Sequence, residues 1–205
     1  MGVFGWLKSG KKVSLPTIPN EGKVKLGEID IASSDREQFQ SPETLARWVS
    51  RLFLEERPLS DNYRSLPNEE SRNSINMTYE QRERYIREIP VLQVAGISLF
   101  IKQHHDDLFW LSFSQTIYPV LVKYLNSDSY ETTVGEIAQV IENYVNASKE
   151  KDELKVSSQY MHRVYDDSDH FVTLTLSGIG FLAVTWLMDS YEIFREAHYQ
   201  VTQGS

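Results

Sequence analysis

Two stretches of this chain set imidazoles beside carboxylates, the side-chain types that ligate divalent metals or move protons near neutral pH. The first is His104-His105-Asp106-Asp107. Successive helical residues point about 100° apart, so these four share one ion only where a helix ends among them. A helix end also explains them without metal. Histidines suit a helix C-terminus, and an aspartate suits the cap of the next helix. The second stretch holds His162, Asp166, Asp167, Asp169 and His170, which meet on a divalent cation if they share a loop. As a solvated acidic turn they need none. The metal candidates are therefore His104, His105, Asp106, His162, Asp166 and His170. Glu192 and Glu196 share a helix face, but His198 lies two residues past Glu196, whereas a di-iron helix needs three. A basic set, Lys149, Lys151, Lys155, His162 and Arg163, could meet phosphates, although Glu150, Asp152 and Glu153 interrupt it.

Several chemistries are excluded outright. The chain has no cysteine among its 205 residues, so thiol catalysis, thiolate zinc, iron–sulfur ligation and disulfides are absent. It has no Gly-rich phosphate loop, no Gly-x-Ser-x-Gly elbow, no kinase signature and no His-Glu-x-x-His. No cofactor is implied.

The elements that must position these residues read as mainly α. Residues 1–40 form an irregular, basic N-terminal segment, and 41–205 a mainly helical domain with a polar linker at 57–77. Ser41 and Pro42 open a helix whose apolar face is Leu45, Trp48, Val49, Leu52 and Phe53. Thr78 and Gln81 form a capping box for a second helix, which Pro90 should kink or end. Val91–Gln103 then makes an apolar helix. Asp106 or Asp107 caps the next, bent by Pro119 and running to about Leu125. Thr133 and Glu136 box another, with the stripe Val134, Ile137, Ala138, Ile141, Tyr144 and Val145.

Phe171–Met188 is an uncharged run of eighteen residues. Six Thr, Ser and Gly lower its hydropathy, and its flanks are acidic, so it reads as buried core and not as a membrane span. It divides in two. His170–Leu176 alternates Thr with Val and Leu like a strand, and Gln159–Tyr165 pairs with it in a small β-hairpin near 159–176. Residues 149–165 and 170–198 read equally well as further helices. From Ile179 the spacing is helical to about His198.

Helices followed by a hairpin that ends in Leu174-Thr175-Leu176-Ser177-Gly178 and opens a terminal helix resemble a winged helix-turn-helix domain over about 107–198. That resemblance implies nucleic-acid binding through the basic set named above, or protein contact, as such domains serve in several bacterial complexes.

Net charge is −8. Five lysines against Glu21 give residues 1–25 a net +4, which leaves −12 on residues 26–205. An acidic body disfavours unspecific adhesion to nucleic acid and suits a basic partner. Phe4, Trp6, Lys8, Lys11 and Lys12 offer a weak contact to a membrane surface. Eleven Tyr and four Trp supply potential interface anchors. The sequence thus leads to a non-catalytic protein-binding module, a bacterial subunit or antidote-like partner of a larger or basic protein. A winged-helix nucleic-acid binder comes next and a metal-dependent hydrolase third. With no cysteine and no signal peptide, the expected location is cytoplasmic.

Overall fold

The computed structural model describes residues 39–51, 54, 78–126, 131–165 and 179–203. These residues form six helices: α1 (Pro42–Ser50), α2 (Tyr79–His104), α3 (Asp107–Leu125), α4 (Val134–Lys149), α5 (Glu153–Tyr165) and α6 (Ile179–Gln203). No strand occurs among them.

Local chemistry sets most of the boundaries. The Thr78 hydroxyl accepts from the Gln81 amide at 3.2 Å, and the Gln81 side chain accepts from the Thr78 amide at 2.9 Å. Thr133 and Glu136 repeat this reciprocal box at the start of α4. Asp106 Oδ1 accepts from the Phe109 amide at 2.8 Å and starts α3. Each satisfies amides that a helix start leaves without a partner. Only Glu150–Asp152 separates α4 from α5. Lys151 takes a left-handed backbone there (φ 56°), and the Asp152 carboxylate caps α5 through the Lys155 amide at 2.9 Å.

α2 is the axis of the fold. Every residue from Glu88 to Ile101 is buried, and α3, α4, α5 and α6 all touch the helix. Pro90 does not end it, and Val91–Gln103, expected as a separate helix, is its second half. A single helix runs from Tyr79 to His104 with Pro90 inside. Proline removes one backbone hydrogen bond, at a cost of about 3 kcal/mol. Here Ile89, Val91 and Leu92 are fully buried on either side, and their burial outweighs that local loss.

α6 lies parallel to α2, because their contacts advance together along both chains. Tyr85 meets Trp186, Gly96 meets Leu187, and Phe100 meets Phe194 and His198. The approach is closest at Gly96. A Cβ there would stand 2.1 Å from the Leu187 carbonyl oxygen and 3.0 Å from the Tyr191 amide nitrogen. Only glycine lets the two backbones come this near. α1 packs on α3, and Trp48 reaches across to Phe194 of α6.

The hairpin expected near 159–176 is corrected in its first half. Gln159–Tyr165 belongs to α5. The residues buried there, Val156, Ser157, Tyr160, Met161, Val164 and Tyr165, follow a helical stripe and not strand alternation. The second half, with the Leu174–Gly178 motif, lies outside the described residues. So do residues 1–38, the whole polar linker at 57–77, Asp166 and His170. No described helix is long and apolar enough to cross a membrane.

Candidate functional site

Three places in the fold gather side chains capable of chemistry or recognition. The most buried is a polar knot beside α2. Glu88 is 4% exposed, and its Oε1 accepts from the Tyr144 hydroxyl at 2.8 Å and from Arg163 Nε at 2.5 Å. One carboxylate thereby ties α2 to α4 and α5. Tyr160 lies within reach of Glu88 and of Tyr85, Tyr144 and Tyr165. Tyr85, Tyr160 and Trp186 stack edge to face, with centroids 5.4–6.2 Å apart. Burial holds the Tyr85, Tyr144 and Tyr160 phenols well above their ordinary range and pushes Tyr165 up to about 12. They stay protonated at neutral pH; Tyr144 donates to Glu88, while the Tyr85, Tyr160 and Tyr165 hydroxyls are buried without a hydrogen-bond partner. The knot is chemically a tie: its carboxylate is shielded and held by two donors.

The second place joins the end of α2 to α6. The His105 and His198 rings meet edge to face at 5.5 Å. His105 stacks on Phe109 at 4.1 Å, and His198 lies against Phe100 at 5.2 Å and Phe39 at 6.2 Å. Burial lowers both imidazoles below their ordinary value; His104 lowers His105 further, and His105 and His104 lower His198 further. Asp106 opposes the shift at His105. His105 Nε2 is buried with no hydrogen-bond partner. Among the described residues no three His, Asp or Glu stand close enough to hold a metal ion.

The third place is the outer face of α3. From Leu108 to Val122 this helix has no charged residue. α1, α2 and α4 cover one side of it. On the other, Leu108 is 75% and Leu111 50% exposed, and Gln115 and Pro119 are exposed with them. Asp107 and Lys123, both exposed, stand at its two ends.

The residues singled out from sequence are distributed as follows. His104 and His105 adjoin each other at the end of α2, and Asp106 caps α3 instead of turning toward them. His162 is exposed on α5. Lys149, Lys151 and Lys155 gather at the α4–α5 corner with Glu150, Asp152 and Glu153, and Lys155 pairs with Glu150 at 2.9 Å. Arg163 faces inward to Glu88. The five basic candidates thus share no single face. Phe4, Trp6, Lys8, Lys11 and Lys12 lie outside the described residues. So does most of the acidity. The described residues hold fifteen Asp and Glu against twelve Lys and Arg, a net −3 of the −12 carried by residues 26–205.

Sequence reasoning missed the knot and the α3 face. The knot joins residues 56 and 75 positions apart and has no local signature. The α3 face had one, the fifteen uncharged residues from Leu108 to Val122. Compared with known proteins, the chain matches no family model, no curated protein and no solved structure.

Proposed function

We propose that the chain is a non-catalytic helical binding module that holds a protein partner on the outer face of α3. The observation that carries this reading is the exposure of Leu108 and Leu111 on a helix uncharged from Leu108 to Val122. A helix apolar all round is ordinarily buried all round. This one is covered on a single side, and its uncovered, uncharged face leaves Leu108 and Leu111 in solvent, where large apolar side chains are candidates for a contact. The large aromatics contribute less to the surface than their number suggests. Trp48, Trp186, Tyr85, Tyr144 and Tyr160 are core, so leucines form the apolar contact. Glu88, the one buried charged side chain among the described residues, is engaged by two donors, which supports a structural and not a catalytic use.

The test compares proteins retained from native lysate by the immobilised wild-type chain and by the Leu108→Glu/Leu111→Glu variant, with far-UV circular dichroism to establish that both are folded. Selective loss of retained proteins with the variant is expected. An identical set retained by both would refute the reading.

A further inference from the structure

We propose that the outer face of α3 is self-complementary and pairs with the same face of a second copy of this chain, about a two-fold axis through Gln115. The inference rests on the reading of α3 as a contact face and names the partner.

The face has an internal order that a one-sided contact does not need. Gln115 lies at its middle and is exposed. Leu111 and Pro119 lie four residues to either side, Leu108 and Val122 seven, and Asp107 and Lys123 eight. Reversing the helix about Gln115 therefore sets apolar against apolar at each step, and acid against base at both ends. A two-fold axis performs this reversal, since residue i of one copy meets j of the other while j meets i. The Gln115 amide, which both donates and accepts, meets its own copy on the axis.

Helix geometry permits the contact. Asp107, Leu111, Gln115, Pro119 and Lys123 form one row of residues four apart. Such rows are inclined about 26° to the helix axis, so the row and its copy lie alongside when two helices cross at about 50°, the commonest packing class. Antiparallel pairing also opposes the two helix dipoles. No charge within Leu108–Val122 is desolvated. One helix per copy makes a small interface, at the low end of specific contacts, so the dimer should dissociate at about 1–100 μM.

The test uses the full chain and follows association by sedimentation or light scattering across that range. Asp107→Lys and Lys123→Asp should each weaken self-association roughly tenfold or more, because like charges then meet at both ends. Mixing the two variants should restore the dimer, since every end contact is again opposite in sign. A misfolded variant could not give that rescue. The chain lacks cysteine, so Gln115→Cys adds a single thiol on the axis. Under mild oxidation it should crosslink to a covalent dimer, whereas Gln139→Cys, exposed on α4, should not. A wild-type chain monomeric at about 0.5 mM would overturn the proposal. So would a dimer indifferent to both charge variants, or equal crosslinking at 115 and 139. The lysate comparison with Leu108→Glu/Leu111→Glu separates the two readings. Loss of retained proteins from a monomeric chain would leave α3 as the face for a different partner.

Discussion

Replacing Gly96 by alanine tests the closest contact in the fold. The added Cβ would lie 2.1 Å from the Leu187 carbonyl oxygen, where real Cβ contacts stay beyond 3.0 Å. The obstacle is backbone, as is the second nearest, the Tyr191 amide nitrogen. No rotamer change relieves it, so α2 and α6 must separate by roughly 1 Å. A gap of that size forfeits a quarter to a half of the dispersion attraction across the parted surface. Overpacking of this kind costs about 1–3 kcal/mol and more when backbone must move. We take about 3–5 kcal/mol. Alanine returns about 1 kcal/mol through its better helix propensity. The expected net loss is about 2–4 kcal/mol, which for a chain of this size lowers Tm by roughly 5–15 °C. Urea unfolding followed by far-UV circular dichroism, and by the fluorescence of buried Trp186, measures it. A variant as stable as the wild type would mean that α2 and α6 do not meet at Gly96, and the parallel arrangement of the two helices would fall with it.

Gly135 provides the contrasting case. Its nearest neighbour to an added Cβ is the Thr133 hydroxyl at 4.0 Å, so Gly135→Ala should raise stability by about 0.5 kcal/mol in the same urea assay, and a loss would contradict the open space at α4. Arg163→Met should cost about 2–4 kcal/mol, since it leaves the buried Glu88 carboxylate with Tyr144 alone, and Glu88→Gln added to it should recover much of the loss. A single variant within about 0.5 kcal/mol of wild type would show that the tie carries no load. The histidine pair sets a pH dependence. His105 and His198 are lowered in the folded chain, so the unfolded chain binds protons first, below its ordinary value of 6.5. Their contribution is complete above that pH and declines as pH falls through it. Thermal midpoints should drop between pH 7 and pH 5, and His105→Asn/His198→Asn should flatten the slope. Equal slopes for the two proteins would remove the pair from the explanation.

The sequence was most legible where structure depends on near neighbours. The boxes at Thr78–Gln81 and Thr133–Glu136, and a cap at Asp106 or Asp107, were read from residue types alone, because a cap needs only residues three apart. It was least legible where distant packing overrides local preference. Pro90 is a helix breaker by its own chemistry, yet it lies within the most enclosed stretch of α2. Gln159–Tyr165 suggested a strand because it preceded an alternating segment, but Val156, Tyr160 and Val164 already carried a four-residue stripe. Arg163 suggested a phosphate contact, and nothing nearby in the chain announces Glu88, 75 residues away. For Gly96 the sequence offers only a glycine within an apolar helix, and its reason is a carbonyl oxygen in α6.

The parallel partnership of α2 and α6 has a consequence for synthesis. Seventy-four residues separate the end of α2 at His104 from the start of α6 at Ile179. At ribosomal rates of about 5–20 residues per second, that interval lasts about 4–15 s. During it the groove around Gly96, with its fully buried neighbours Ala95 and Ile97, lacks its native cover. Such a nascent chain is a client for chaperones that bind exposed apolar helix. Variants that weaken the α2–α6 contact should therefore lower the yield of folded protein in cells by more than their equilibrium stability alone would dictate.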